Sequence, residues 1–130
     1  MEIKFRALIL PLFKERDFII VNSKKVLNKM GILNALVDWD KELLIGVFSG
    51  AKPTGGYAIS ILKLELHEQS LIVHFSEQTP KPGDFVSQAL TYSGQWIVAQ
   101  RREFPQTTTS VIFINQNGIK EKIIPFNVSG

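Results

Sequence analysis

The chain has 130 residues, 45% of them hydrophobic and 21% charged, which is typical of one globular domain and argues against disorder. It contains no cysteine, so disulfides, thiol nucleophiles and thiolate metal sites are excluded. The formal net charge of +3 is mild, and no aromatic residues are interleaved with Lys24, Lys25 and Lys29, so no nucleic-acid partner is expected.

The first apolar run, "ALILPLF" at residues 7–13, is a candidate leader or membrane segment. It is much shorter than the roughly 20 residues that a membrane span needs. Pro11 interrupts it, and no small-residue cleavage site follows. We therefore predict a strand over Ile3–Leu10, no signal peptide and no membrane span. The sequence leaves the compartment open. The protein is either cytoplasmic or a secreted or surface protein whose leader has been removed.

A single helix is predicted after the short apolar run Phe18–Val21. Asn22 or Ser23 can cap its first turn by accepting a hydrogen bond from a backbone N–H that would otherwise be unpaired. Gly31 is expected to weaken or end the helix, since glycine costs about 1 kcal/mol relative to alanine in a helix. The apolar residues at helical spacing are Val26, Leu27, Met30 and Leu33.

From Leu43 onward the pattern indicates strands joined by short turns. The segment "LLIGVFS" is apolar at successive positions, as expected for a central strand buried on both faces. The apolar phase of "YAISILKLEL" shifts between Ile61 and Leu62, which predicts either a bulge or burial of both faces. In "LIVHF", Leu71, Val73 and Phe75 are expected to share one face. The remaining predicted strands are "FVSQALTY", "QWIVAQRREF", "SVIFI" and "IKEKIIPF".

Turn residues separate these strands. Ser93-Gly94 is interpreted as a break between two strands, and Asn117-Gly118 predicts a hairpin because both residues tolerate a positive φ. One helix followed by about seven strands in short antiparallel connections predicts an α+β fold, mostly antiparallel β. The architecture expected is a β-sandwich or partly open barrel with one N-terminal helix, and residues 1–130 form a single domain.

The segment "SGAKPTGGY" at residues 49–57 raises the question of a phosphate-binding loop. Gly50 and Gly55 have the spacing that opens the motif G-x-x-x-x-G-K-[ST]. Gly56 and Tyr57 stand where the motif needs lysine and a hydroxyl residue, and a strand follows instead of a helix. These differences exclude the phosphate-binding loop.

Catalytic and metal-binding patterns are weak. His67 and His74 are the only histidines, and nothing in the sequence pairs either with a nucleophile. Asp38, Asp40 and Glu42 lack the further ligand and the glycine of a calcium-binding loop. We predict no catalytic residue, no metal and no cofactor. An uncharacterised small hydrolase stays as an alternative, with His74 as its most testable residue.

The same glycine-rich segment also fits a protein-binding loop. Pro53 sets φ for the first corner of a turn, and Gly55 or Gly56 supplies a positive φ at the next. Tyr57 adds an amphipathic ring of the kind favoured at interfaces, although any tight turn needs such residues. Alternation with Ile59 predicts a half-buried Tyr57, with the Thr54–Gly56 backbone as the contact. The predicted partner-binding residues are Lys52, Pro53, Thr54, Gly55, Gly56, Tyr57, Pro82 and Gly83.

Three segments of the chain, taken as a set, resemble the C-terminal domain of PrcB, a subunit of a bacterial protease complex. They are "VFSGAKPTGGYAISI", "LIVHFSEQTPKPGDFVSQALTY" and "IVAQ". The resemblance is strongest over residues 44–100. Two departures are "YSGQW" at residues 92–96 and a tail at residues 104–130, which is expected to add a C-terminal hairpin. The matching positions are Gly50, Pro53 to Tyr57, Glu77, Pro80, Pro82, Gly83, Gln88, Ala89 and Thr91.

The resemblance implies a non-catalytic protein-binding domain that supports the assembly or stability of a protease complex, with a protein partner such as a protease. "KPTGGY" is also similar to a loop of the chagasin-like cysteine-protease inhibitors. Their second and third binding loops have no clear counterpart here, since Trp96 and Arg101 occur in the wrong order. Direct protease inhibition is therefore the main alternative. The sequence leaves the oligomeric state open.

Overall fold

The computed structural model describes residues 1–128. Within them the chain forms nine strands, one α-helix and one turn of 3-10 helix at Arg101–Glu103. The α-helix α1 spans Lys24–Lys29 and is much too short to cross a membrane. The strands are β1 (Glu2–Ile3), β2 (Phe5–Leu8), β3 (Asp17–Val21), β4 (Glu42–Lys52), β5 (Ala58–His67), β6 (Ser70–Gln78), β7 (Thr91–Gln100), β8 (Ser110–Ile114) and β9 (Lys120–Pro125).

The described strands form two sheets that pack face to face. The five-stranded sheet has the order β1-β5-β6-β8-β9, and the four-stranded sheet has the order β2-β7-β4-β3. This confirms the predicted α+β class and selects the sandwich over the barrel. The pairing is mostly antiparallel, as predicted, and among the described strands only β6 and β8 pair in parallel. The chain leaves β6, runs through β7 in the other sheet, and returns to the first sheet in the same direction.

In the five-stranded sheet, alternation along β6 and β8 directs every second side chain into the core between the sheets. Leu71, Val73 and Phe75 are fully buried, as predicted, and they pack with residues such as Ile45 and Ile97 of the opposite sheet. The four-stranded sheet is buried on its second face as well. There Phe48 and Trp96 belong to a separate cluster, which α1 and the segments around residues 10–13 and 32–39 cover. Burial on both faces explains the continuous apolar run of β4.

The first predicted strand is divided between the sheets. Lys4 separates β1, which pairs with β5, from β2, which pairs with β7. The N-terminal chain therefore crosses from one sheet to the other and joins them. Of the two alternatives predicted for β5, the structure has the bulge, since the pairing with β6 shifts between Ile61 and Lys63 and Leu62 is exposed.

The helix is shorter than its apolar pattern suggests. The Oγ of Ser23 accepts a hydrogen bond from the backbone N–H of Val26 at 3.2 Å and caps the helix. The helix ends before Gly31, whose φ of +87° lies in the left-handed region. Of the four apolar residues predicted to share its face, only Leu27 is buried, while Val26, Met30 and Leu33 are exposed. Fewer than two helical turns cannot direct an apolar stripe of that length onto the sheet.

The predicted strand break at Ser93-Gly94 is wrong, and so is the predicted strand before it. β7 runs without interruption through Gly94, whereas residues 85–90 form no strand. A Cβ on Gly94 would lie 2.6 Å from Cδ1 of Phe48 and 2.9 Å from the carbonyl oxygen of Val47. Gly94 is therefore a point of close packing under an aromatic ring and not a turn residue.

Candidate protein-binding surface

The segment that connects β4 to β5, residues 53–57, is called here the GGY loop. Gly56 has a φ of +87°, which glycine adopts without the steric cost that other residues meet. Tyr57 is half-buried, and the Nζ of Lys52 lies 5.6 Å from the centroid of its ring. The side chains of Lys52, which precedes the loop, and Tyr57, which ends it, are therefore close to each other.

A second segment, residues 79–90, lies across the GGY loop and is called here the covering segment. The backbone N–H of Gly55 donates a hydrogen bond to the carbonyl of Ser87 at 3.0 Å. The hydroxyl of Thr91, just beyond the segment, donates to the carbonyl of Thr54 at 2.6 Å. Two hydrogen bonds to backbone atoms fix the position of the GGY loop relative to the covering segment.

The glycines of the GGY loop allow this close approach. A Cβ on Gly56 would lie 2.8 Å from Cγ1 of Val86 and 3.0 Å from Cγ of Pro80. A Cβ on Gly55 would lie 2.7 Å from the Oγ of Ser87. The backbone of the loop thus makes contacts within the chain, although Gly56 also remains exposed to solvent. The motif Pro-Thr-Gly-Gly-Tyr therefore forms a loop that packs against the covering segment on one side.

Pro82 and Gly83 form the corner of a turn within the covering segment. The N–H of Asp84 donates to the carbonyl of Lys81 at 3.0 Å, and a carboxylate oxygen of Asp84 accepts from the N–H of Lys81 at 2.8 Å. Proline followed by glycine with a φ of +89° is typical of a type II turn. A Cβ on Gly83 would meet no atom within 4 Å, so this turn projects into solvent.

Three apolar side chains on and beside the covering segment are exposed. Phe85 has a relative exposure of 105%, Leu90 of 70% and Tyr92 of 40%. The Nζ of Lys14 lies 6.0 Å from the centroid of the Tyr92 ring. Sequence reasoning missed these residues as surface groups because their β-prone run was assigned to a strand. The one available signal was the Pro-Gly pair at residues 82–83, which predicts a turn two residues before Phe85.

An ion pair fixes the end of the sandwich from which both loops emerge. The guanidinium of Arg16 donates two hydrogen bonds to the carboxylate of Glu77, at 2.8 and 2.7 Å. Arg16 precedes β3 of one sheet, while Glu77 belongs to β6 of the other. The hydrogen bond from Arg16 lowers the pKa of Glu77, and the bond to Glu77 raises the pKa of Arg16. Gly50 admits this contact, since its Cβ would lie 3.0 Å from the backbone nitrogen of Arg16.

The weaker catalytic and metal-binding candidates do not form a common site. His67 is exposed at the tip of a hairpin, and the Nε2 of His74 lies 3.1 Å from a carboxylate oxygen of Glu65. That hydrogen bond lowers the pKa of Glu65. The carboxylate of Glu42 is buried and accepts from the N–H of Asp38 at 2.9 Å. Residues 1–128 contain no cluster of three or more potential metal ligands.

A cleft of about 640 Å³ lies elsewhere, at the far end of β7. The guanidinium of Arg101 lines it and donates to the carbonyls of Asn22, Trp39 and Val128. Burial lowers the pKa of Arg101. Three backbone partners engage this guanidinium, so Arg101 joins chain segments at the cleft.

Residues 43–92 match the family model of the PrcB C-terminal domain, which confirms the family resemblance seen in the sequence. The matched segment begins in β4, includes the GGY loop and the covering segment, and ends at the start of β7. Neither a curated protein nor a solved structure matches the chain significantly.

Proposed function

We propose that this PrcB-like chain is a non-catalytic protein-binding domain that supports the assembly or stability of a protease complex. Its contact surface is formed by the GGY loop, the covering segment and Tyr92. The observation that carries the proposal is the complete exposure of Phe85 beside a loop pair that is held rigidly in place. An aromatic side chain carried on an ordered backbone binds a partner without the cost of ordering a loop.

Bracing of the loop pair supports this proposal. Gly55 and Gly56 allow the two segments to touch, and Pro80 and Pro82 restrict the backbone of the covering segment. The Arg16–Glu77 ion pair fixes the same end of the sandwich. A surface that is already ordered before binding avoids the cost of ordering a loop.

The residues shared with the family pattern and the exposed apolar residues have different roles in this proposal. Pro80, Gly55, Gly56 and Glu77 make contacts within the chain and build the support. Phe85 and Leu90 lie outside the matching positions and point away from the core. In this proposal, the residues of the family pattern hold the two loops together, and the exposed side chains of Phe85 and Leu90 determine which partner binds.

The experiment compares immobilised wild type with the Phe85→Ala variant in a lysate of the source cells, with bound proteins identified by mass spectrometry. We expect the wild type to retain a defined set that includes a protease. Removing a central aromatic contact should reduce its retention by about 10-fold or more. Ile123→Ala is the matched control, because Ile123 is 57% exposed and lies outside both loops.

Equal retention by wild type and the Phe85→Ala variant, with unchanged thermal unfolding, would contradict the proposed surface. The alternatives have their own readouts. Turnover of ester, peptide or phosphate substrates that is lost in His74→Ala would indicate a hydrolase. Inhibition of a papain-like protease at micromolar concentrations of the domain would indicate an inhibitor of the chagasin type.

A further inference from the structure

Residues 24–36, called here the α1 patch, lie over the apolar cluster on the outer side of the four-stranded sheet. Leu27 of α1 and Ile32 of the segment after it are buried in that cluster. Other side chains of the same residues point away from it, since Leu33 is 64% exposed and Leu36 is 81% exposed. The exposed side chains of the α1 patch therefore share one side of the molecule.

The helix α1 carries two lysines on the side opposite to its buried residue. Lys25 and Lys29 are each two positions from Leu27, and two positions turn a helix by about 200°. Their side chains therefore point into solvent. Val26 and Met30 lie four positions apart on one flank, where they are 40% and 38% exposed. Exposed aliphatic side chains thus lie beside exposed ammonium groups.

The excess positive charge of the chain is concentrated in this part of the sequence. Residues 18–37 contain Lys24, Lys25 and Lys29 and no aspartate or glutamate. Of the 15 basic and 12 acidic residues in the chain, three basic and none acidic lie here, so the rest is balanced at twelve of each. Among the described residues, no acidic group lies within 4 Å of these three ammonium groups. The α1 patch therefore carries a local charge that no ion pair neutralises.

The exposed apolar side chains of the α1 patch project from the surface. The cleft of about 640 Å³ begins at Ser23, at the start of α1, but none of the four exposed apolar side chains of the patch lines it. Asp40 lines this cleft together with Arg101 and Arg102, which balance its negative charge locally. A projecting apolar surface with a positive charge fits a broad anionic surface better than it fits one side chain of a protein partner.

We propose that the α1 patch binds the surface of an anionic lipid membrane. The aliphatic side chains enter the headgroup region, and the lysines contact the phosphates and carboxylates of the lipids. Apolar side chains bind there by leaving water, and each lysine near an anionic surface strengthens binding about 5-fold. A surface for single-stranded nucleic acid would carry aromatic or arginine side chains among the lysines, and residues 24–36 contain neither. The α1 patch lies outside residues 43–92, which match the family model, so the proposal does not rest on the family.

Co-sedimentation of the purified chain with lipid vesicles tests this proposal. The vesicles contain either phosphatidylcholine alone or about three parts phosphatidylcholine to one part phosphatidylserine. We expect binding to the mixed vesicles and at least about 10-fold weaker binding to phosphatidylcholine alone, because only the mixed vesicles attract the lysines. Raising the salt concentration from about 0.05 M to about 0.5 M should weaken binding to the mixed vesicles by a similar factor.

Two double variants separate the contribution of charge from that of apolar contact. Lys25→Gln combined with Lys29→Gln should weaken binding to the mixed vesicles by roughly 20-fold. Leu33→Ser combined with Leu36→Ser should weaken it by roughly 10-fold, because less apolar surface leaves water on binding. All four side chains are exposed, so thermal unfolding should be the same as in wild type.

The matched controls lie on the outward face of the five-stranded sheet, on the other side of the sandwich. Lys63→Gln combined with Lys120→Gln removes the same amount of charge. Leu62→Ser combined with Ile123→Ser removes two aliphatic side chains that are 56% and 57% exposed. Both controls should bind the mixed vesicles within about 3-fold of wild type, since the charges they remove lie more than a Debye length from the membrane.

Equal binding to the two kinds of vesicle would overturn the proposal. The same holds for a control variant that weakens binding as much as its counterpart in the α1 patch. Duplex DNA that binds more tightly than the mixed vesicles, and less tightly once Lys25 and Lys29 are replaced, would assign the patch to nucleic acid instead. Retention of a protease by the immobilised chain is measured without added lipid, so the proposed function succeeds or fails separately.

Discussion

A side chain on Gly56 has no room beside Val86, since its Cβ would lie 2.8 Å from Cγ1 of Val86. Gly56 also has a φ of +87°, which alanine adopts only with strain. We expect Gly56→Ala to lower the free energy of unfolding by about 2–3 kcal/mol, because the backbone strain and the contact with Val86 both oppose it. Urea denaturation followed by circular dichroism measures this change.

The Gly83→Ala variant is the matched control for that prediction. Gly83 has a nearly identical φ of +89°, but a Cβ there would meet no atom within 4 Å. The free energy of unfolding of Gly83→Ala should fall by about 1 kcal/mol, because only the backbone strain opposes this substitution. Equal losses in the two variants would mean that the GGY loop does not press against the covering segment in solution.

Gly94 provides a second test of close packing, inside a strand. Its Cβ would lie 2.6 Å from the ring of Phe48 and 2.9 Å from the Val47 carbonyl, which belongs to the neighbouring backbone. We expect Gly94→Ala to lower the free energy of unfolding by about 2–3 kcal/mol. Gly118→Ala, with open space around its Cβ, serves as control and should cost about 1 kcal/mol through its positive φ. A Gly94→Ala variant as stable as wild type would support the turn read from the sequence.

The strands that the sequence predicts well are those whose own pattern determines their burial. Leu71, Val73 and Phe75 alternate, so their shared face follows from the geometry of a strand. The predictions failed where a distant contact decides the structure. Gly94 and Gly118 are both glycines next to a polar residue, but only the packing of Phe48 distinguishes a close contact from a turn. Phe85 sits in a β-prone run, and the sequence does not show that this run must cover the GGY loop.

Arg101 is the clearest residue whose role no local pattern could reveal. Its guanidinium donates to the carbonyls of Asn22, Trp39 and Val128, which are 79, 62 and 27 residues away in the chain. These bonds join the end of β3, the segment before β4 and the C-terminal part of the described chain. In the sequence, Arg101 and Arg102 are two adjacent basic residues, and no local feature distinguishes the role of one from that of the other.

We expect Arg101→Met to lower the free energy of unfolding by about 2 kcal/mol, because three carbonyls lose a charged donor in a partly buried site. Arg101→Lys should recover little of this loss, since one ammonium group cannot reproduce the planar arrangement of donors. Arg102→Ala is the control, because Arg102 is exposed, and it should change stability by less than about 0.5 kcal/mol. Thermal unfolding of the three variants checks this order of stability losses. An Arg101→Lys variant as stable as wild type would contradict the prediction.

The GGY loop shows how far the candidate surface could be inferred. Pro53, Gly55 and Gly56 predicted a change of chain direction, and the structure has a bend at residues 53–55 with the positive φ at Gly56. The contact of that turn with Pro80 and Val86 was not predictable, because it depends on a segment more than twenty residues further along the chain. The half-buried position expected for Tyr57 followed from alternation along β5, and the structure places the ring there.

Stability should also depend on pH through Glu77. Its hydrogen bond with Arg16 lowers the pKa of Glu77 in the folded state. Because the folded pKa lies below the unfolded one, the stabilisation is present above the unfolded pKa and is lost as pH falls through the folded pKa. The pair is partly exposed, so solvent reduces its contribution to about 0.5–1 kcal/mol.

We therefore expect Glu77→Gln to lower the free energy of unfolding by about 0.5–1 kcal/mol at neutral pH and to have little effect below the folded pKa, where Glu77 is protonated in wild type. The difference between the two proteins should decrease steadily as pH falls from about 5. Urea denaturation between pH 2.5 and 7 measures both curves. Arg16→Gln should produce at least this loss at neutral pH, because Arg16 also lies 3.7 Å from Glu121 and over the ring of Phe18. The double variant should be no worse than Arg16→Gln alone, since the Arg16–Glu77 interaction is already absent there. Parallel curves, with a difference that does not change with pH, would show that the ion pair does not stabilise this end of the sandwich.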